Sequence, residues 1–450
     1  MRAGQTQVRR FEIELSTKPC ARTASTGTVP ERGLRPTVEA FHTENRSYRL
    51  VPVRLWSYEG AVLGVCTLAF FATMAARLAI SPVVPLIGAD LAVSNGALGL
   101  ALTGMWFAYA AAQFPSGLLA DRYGERRVIL VAVGGTALAS ALLAVAPSYM
   151  VFLIGAVVLG GVAGLHFSVA TSLLTRTLPN TGSAIGLHTA GAPVAGLLIP
   201  MAAGGLGAWL GWRWAVGLGV AIAVPAAVLF AAVVRPAPPA RPSESILSRI
   251  RPRAFLSVLS RPSIALTLGL SAVGAFVWQA TASFLPTFLG AYHGYSDAFA
   301  GVLFSAYFAV QGVTQPMLGS LSDRIGRFPA AALALGTGLV GYGLLVAGSG
   351  LWVLLPAIAM AGFAMSWGAA LLPKFMDHLG AEERSVGFGL IRTVYMVLGA
   401  GGSVATGTLA DAFGWGPAFG VLLVLQAGML SVILYVLASS VSEPSDRVPS

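Results

Sequence analysis

The sequence predicts an all-α membrane protein built from two pseudo-symmetric six-helix bundles, and three observations predict it. Of its 450 residues, 56% are hydrophobic and only 10% charged, where a soluble domain carries about 25% charged residues. Apolar runs recur with short breaks from Gly60 to Ala438, each close to the roughly 20 residues a helix needs to cross the hydrocarbon. A knot of glycine and charge between two such runs returns once, 202 positions later.

The first copy of the knot, residues 117–127, carries Gly117, Asp121, Arg122, Gly124, Arg126 and Arg127. The second, residues 319–327, carries Gly319, Asp323, Arg324, Gly326 and Arg327. Other pairs keep nearly the same offset: Gly186 with Gly389, and Trp212 with Trp415, both at 203. One half of the chain is therefore a diverged copy of the other. The apolar runs place twelve spans at 60–88, 96–116, 127–146, 150–173, 181–205, 213–234, 263–288, 298–318, 328–348, 351–373, 385–408 and 416–438. The short alternating segments of a membrane barrel are not visible. The expected organisation is a basic, disordered cytoplasmic tail (1–56), an N-terminal bundle (57–234), a cytoplasmic linker (235–262), a C-terminal bundle (263–438) and a short C-terminal tail (439–450).

The net charge of +10 does not point to nucleic acid, because its placement is topological. Of 28 Lys and Arg residues, ten precede residue 60, six lie in the linker region, and nine sit in other even-numbered loops, nearby span ends or the C-terminal tail. Only Arg213 falls in a loop on the opposite side, and Arg77 and Arg392 lie inside spans. Positive charge gathers on the cytoplasmic side of membrane proteins, so both termini are expected there. Trp209, Trp212, Trp214, Trp352 and Trp415 fall at the outer loops, as an interfacial aromatic belt would. Cys20 in the tail and Cys66 in the first span offer no disulfide framework. The linker opens Pro-rich at residues 235–239, stiff by composition, and residues 243–253 read as a short basic surface helix.

With these residues in view, the chain resembles the major facilitator superfamily over about residues 57–438. The glycine and charge knot is that family's signature between spans two and three, repeated more weakly between spans eight and nine. Gly191, Pro193 and Gly196 match part of its span-five Gly-Pro element, with Ala192 where drug antiporters carry glycine. The resemblance implies alternating access around a central cavity lined by spans one, four, seven and ten. It also implies that the knot latches the bundles on the cytoplasmic side when the cavity opens outward, Asp121 facing the positive N-terminus of a neighbouring helix. The early span-four arginine frequent in proton antiporters has no counterpart in residues 155–160.

Arg77 is the sharpest candidate for substrate binding. It lies in mid-span, where a charge costs at least about 2.5 kcal/mol, and shares a face with Thr73 and Ser81 at four-residue spacing. Its planar donor fork suits an anionic group; the alternative is a structural arginine satisfied by carbonyls. Arg392 enters span eleven about two turns from the edge, so anion binding and snorkelling both remain open. Tyr395 shares its stripe. No Asp or Glu falls inside any predicted span; Glu59, Asp90, Asp297 and Asp411 lie at ends or loops. Two intramembrane arginines without a buried carboxylate favour an anionic cargo and disfavour cationic-drug efflux.

His166 and His188, the two histidines within spans, are the candidates for proton coupling because imidazole titrates near neutrality. His166 is also a candidate cavity residue, with Trp278, Gln279, Tyr307 and Gln311 as further polar lining; interhelical hydrogen bonding is the plainer reading of these. No Walker loop, HExxH, CxxC or Gly-x-Ser-x-Gly element is present, so no enzyme, cofactor or metal site is expected. The expectation is a monomeric cell-membrane carrier for a small organic anion, coupled to protons or to a counter-substrate. Export of hydrophobic drugs and a carrier-fold ligand sensor are the alternatives.

Overall fold

The computed structural model describes residues 57–243, 259–379 and 384–442. The tail expected over 1–56, nearly all of the surface helix expected over 243–253, and most of the C-terminal tail lie outside these residues. Among the described residues every regular element is helical. Among these residues eleven spans are long and apolar enough to cross a membrane. The remaining expected span, span eight, is Asp297–Ile325, a continuous helix of 29 residues with Gln311, Thr314, Gln315, Ser320 and Ser322 running through its second half.

Several spans are broken, and the sequence shows why. Span one runs as Tyr58–Leu78, turns through a tight helix at Ser81–Val83 and continues as Val84–Leu91. Pro82 and Pro85 bring no N–H to the helical ladder. The Ser81 hydroxyl, at the start of this turn, donates to the Ser283 carbonyl of the C-terminal half at 2.9 Å. Span four breaks between Tyr149–Gly164 and His166–Thr177, and span ten between Leu351–Ala364 and Trp367–His378, the same place in each half. Span five (Thr181–Thr189, Gly191–Leu210) and span eleven (Arg384–Gly399, Gly402–Phe413) break at unrelated places. Span seven, Pro262–Ala291, is unbroken.

The connections are as short as the sequence implies. Span two (Asn95–Tyr123) passes to span three (Glu125–Ala144) through Gly124 alone, and span eight to span nine (Arg327–Ala347) through Gly326 alone. Their φ angles of 88° and 97° are the conformation that a β-carbon opposes. Gly211 and Gly414 repeat the arrangement before span six (Trp212–Val233) and span twelve (Trp415–Ser442).

Inside each half the spans pair alike: two with four and eight with ten, three with six and nine with twelve, one with five and seven with eleven. The halves meet along two related seams, span two against eleven and span five against eight. Both seams are glycine-lined at equivalent positions. A β-carbon on Gly99 would lie 2.5 Å from the Ser403 carbonyl oxygen, and one on Gly301 2.5 Å from that of Pro200. Gly407 abuts Asn95 and Gly204 abuts Asp297 in the same way. In each seam a hydroxyl accepts an N–H from the facing helix at 3.0 Å, Thr103 from Val404 and Ser305 from Met201. Small residues bring membrane helices together because close packing, not water release, holds them.

Not every expected belt tryptophan is one. Trp209, Trp214 and Trp352 are exposed at 64–89%. Trp212 is buried and donates from Nε1 to Asp90 at 3.1 Å, and Trp415 packs on Phe284. Asp90 also pairs with Arg213 at 2.8 Å, so the lone basic residue of that side anchors a span junction.

Valine in place of Gly301 is expected to wedge spans five and eight apart. The cost should be in the range of about 1–3 kcal/mol typical of overpacking, read as a lowered melting temperature of the purified protein, with Gly343→Val, whose surroundings are open, as the neutral control.

Candidate functional site

Arg77 stands in the last turn of the first helix of span one and is 2% exposed. Its Nε donates to the Thr73 carbonyl at 3.0 Å, one turn back in its own helix. The rest of the guanidinium lies on aromatic faces of span two, with Cζ 3.9 Å from the Tyr109 ring centroid and 5.2 Å from that of Trp106. Nη1 and Nη2 make no well-directed hydrogen bond among the described residues. Two cation–π contacts return about 1–2 kcal/mol each when dry. Each orphaned donor costs about 1–3 kcal/mol, so the ring contacts do not leave this charge satisfied.

The rings continue into the other half. Trp106 meets Trp278 of span seven edge-on at 5.2 Å between centroids, and Trp278 meets Phe308 of span eight at 6.4 Å. Span eleven contributes Arg392, whose Cζ lies 4.4 Å from the Phe167 ring of span four, across the seam. Its Nε is buried without a hydrogen-bond partner among the described residues. The Phe167 contact brings this side chain against the N-terminal half. Tyr395, one turn further, is 6% exposed and packs edge-on against Trp367 of span ten. Met396 ties both halves to this level: Gln113 of span two donates to its sulfur at 3.4 Å and Gln279 of span seven to its carbonyl at 3.1 Å.

His166 and His188 sit behind Phe167 in the N-terminal half. Both are fully buried, their rings 5.5 Å apart, with Phe70 against each and Phe167 stacked on His188. Neither ring makes a well-directed hydrogen bond, although the Cys66 backbone lies near both. They form one aromatic cluster, adjoining Arg392 through Phe167. His293, in the loop after span seven, differs: burial holds it below the ordinary imidazole range and its Nε2 meets the Leu345 carbonyl at 2.9 Å.

The structure does not bring every expected residue to this cluster. Tyr307 is fully buried within the C-terminal half, its ring against Phe304 and Phe308. Gln311 donates to the Met365 carbonyl at 3.3 Å, and its Oε1 has no partner among the described residues. Trp106, Tyr109 and Phe167 do belong to the site. The first two form a stripe with Gln113 in span two; Phe167 gave no signal, because an aromatic in an apolar run looks like packing.

The two loop knots lie at one end of the bundle, here the motif end. Arg126 donates to the Val234 carbonyl at 2.7 Å and the Ala231 carbonyl at 2.8 Å, capping span six, where positive charge suits a helix C-terminus. The Arg241 N–H reaches the Asp121 carbonyl at 2.8 Å, laying the start of the linker along the loop. Arg122 lies over the Tyr123 ring, while Arg127 and Arg324 are exposed. Glu125 pairs with Arg176 at the end of span four. In the second copy Arg327 bonds Asp323 at 2.5 Å and lies 3.6 Å from Asp377 at the end of span ten. The same link thus recurs with its charges exchanged, which a search for identical residues does not find. Gly117 faces open space in this conformation.

Among the described residues, a charged link between the halves lies at the far end. Asp411, closing span eleven, accepts from the Asn95 N–H at 3.1 Å, the Asn95 side chain at 2.8 Å and the Gly96 N–H at 2.7 Å, capping span two. At the motif end the inner segments of spans four, five and ten pack mainly within their own halves. The conformation is therefore held shut at the far end.

Two related bundles, joined by glycine seams around buried unpaired charge, make a membrane carrier rather than an enzyme. The chain belongs to the Major Facilitator Superfamily, whose model matches residues 66–300 and 267–450. Among curated relatives, a probable sulfoacetate transporter of Cupriavidus necator is 30% identical over 34% of this chain and 36% of its own length. A class C tetracycline resistance protein of Escherichia coli is 33% identical over 26% and 30%. The alignment thus spans only about a third of either relative. A probable 4-methylmuconolactone transporter of Cupriavidus pinatubonensis matches at 28% over 68% of this chain and 73% of its own. Of solved structures, a nucleoside transporter superposes with a TM-score of 0.69 at 12% identity, covering 85% of this chain and 99% of its own. An inward-facing, unoccupied bacterial homologue of the lysosomal transporter Spinster gives 0.68 at 19%, covering 85% and 95%.

Replacing Asp411 with alanine removes the cap from span two. Stability should fall by about 1 kcal/mol, the usual loss of an N-cap. A cysteine introduced at Ser81, 3% exposed in the native chain, should then react faster with a membrane-impermeant maleimide; an unchanged rate would mean that the glycine seams alone hold the far end.

Proposed function

We propose that this carrier moves a small organic anion by alternating access, with Arg77 as its principal anchor and Arg392 as the second. One observation carries the reading: a guanidinium 2% exposed that lies against Tyr109 and whose two Nη groups make no well-directed hydrogen bond among the described residues, in spans whose described acidic residues all sit at their ends. An anion supplies the missing acceptor, and a charge-assisted pair of this kind is stronger than a neutral hydrogen bond. The relatives named for sulfoacetate and for 4-methylmuconolactone add support. By the distribution of Lys and Arg, the motif end and both termini face the cytoplasm of a cell-membrane protein. The end held by Asp411 then faces outward in this conformation, and the protein works as a monomer.

The test is uptake of carboxylates and sulfonates into proteoliposomes. Arg77→Gln should lower uptake at least about tenfold, the equivalent of losing one charge-assisted contact. The variant should be as stable as the native chain or more so, because removing an unpaired buried charge relieves a desolvation cost. Unchanged transport by a folded Arg77→Gln protein would end the anchor role.

Proton coupling is assigned to the His166 and His188 pair, the buried imidazoles nearest the two arginines. A proton there adds positive charge beside the anion site, so proton and anion bind in the same step and uptake rises as the medium is made more acidic. His166→Asn with His188→Asn should flatten that pH profile while leaving counterflow exchange; a profile identical to the native one would assign the proton elsewhere.

The second reading, export of hydrophobic drugs, draws on the tetracycline resistance relatives and on the Trp106, Trp278 and Phe308 rings. It expects neutral or cationic drugs, and no anion, to stabilise the purified protein.

A further inference from the structure

The anion reading leaves open how many charges the cargo carries, and the placement of the arginines bears on that. Arg77 belongs to the N-terminal half and Arg392 to the C-terminal half, and each lies on an aromatic face contributed by spans two or four. Both stop short of satisfaction: Arg77 at Nη1 and Nη2, Arg392 at Nε. The two guanidinium groups are near enough to repel each other, and Tyr109 and Tyr395 belong to the same electrostatic cluster. An aromatic face attracts a cation but offers its N–H groups no lone pair of the kind a carboxylate or sulfonate supplies. The acidic side chains of the described spans stay at the span ends: Glu125 is taken by Arg176, Asp90 by Arg213 and Asp411 by the N-terminus of span two.

Resting on the anion reading above, we propose that the cargo is a dianion whose two acidic groups are held one by each half, the first on Arg77 and the second on Arg392. A single acidic group satisfies Arg77, the more buried of the two, and leaves Arg392 bare beside it. A cargo with an acidic group at either end satisfies both and replaces repulsion across the seam with two attractions. It also joins the halves at the level of Gln113, Gln279 and Met396, where they already touch. The body between the two groups passes the Trp106 and Trp278 edges, which favours a short carbon skeleton, saturated or not, over a sugar or a peptide. The chemical class is a small dicarboxylate or sulfocarboxylate.

The experiment compares each diacid with its own monomethyl ester, which keeps length and shape and removes one charge. Malonate, succinate, glutarate and sulfoacetate, each with its monoester, are titrated into the purified full-length native chain by calorimetry, and then into Arg392→Gln. At least one diacid is expected to bind the native chain about tenfold or more tightly than its ester, the value of one charge-assisted contact. In Arg392→Gln that diacid should fall to the level of the ester, with the affinity of the ester within about twofold of native. Equal binding of every diacid and its ester overturns the proposal and leaves a monoanion on Arg77 standing. Equal weakening of diacid and ester by Arg392→Gln also overturns it, since Arg392 would then serve a single shared group. Should no anion bind, this proposal and the anion reading both fall. The native titrations decide between diacid and ester even if Arg392→Gln does not fold.

Discussion

A guanidinium cannot lose its charge within a protein, and this chain keeps two of them among apolar helices with no carboxylate paired to either among the described residues. Much of the arrangement around the seam can be understood as accommodating that fact. Span two spends Trp106 and Tyr109 on the face of Arg77, and span four spends Phe167 on Arg392. Rings can cover a cation without neutralising it, so the charges are sheltered from lipid and still able to recruit an acceptor. A carboxylate in the same place would stabilise the empty protein and compete with any anion that entered.

The duplication explains how one seam can be tight and still open. Equivalent glycines line spans two and eleven and spans five and eight, and equivalent hydroxyls, Thr103 and Ser305, take an N–H from the facing helix. These contacts are short-range, made by small residues at close approach rather than by charged pairs. Asp411 breaks the symmetry, because its counterpart 203 positions earlier is Ala208. Only the seam between spans two and eleven therefore carries an ionic cap at the far end, and that seam is also the one next to Arg392.

The loop knots were plain in the sequence as a repeat, but their partners were not. Arg126 could be seen to be basic and near a helix end; that it caps span six through the Ala231 and Val234 carbonyls depends on how the third and sixth spans pack. Glu125 with Arg176, and Arg327 with Asp377, perform one task with opposite charges, so identity between the copies hides the correspondence.

What the sequence by itself determined was the number and order of the spans, the duplication, the glycine turns and the presence of two arginines where hydrocarbon tolerates few. Those features are local: apolar length, one residue with positive φ, and the cost of a charge are all set by a residue and its near neighbours. Only the tertiary structure decided which groups those arginines face, that His166 and His188 share one cluster while Tyr307 lies elsewhere, and that Asp411 closes the far end. Each of these joins residues tens to hundreds of positions apart, and a helix face carries no mark of its partner until the helices are packed.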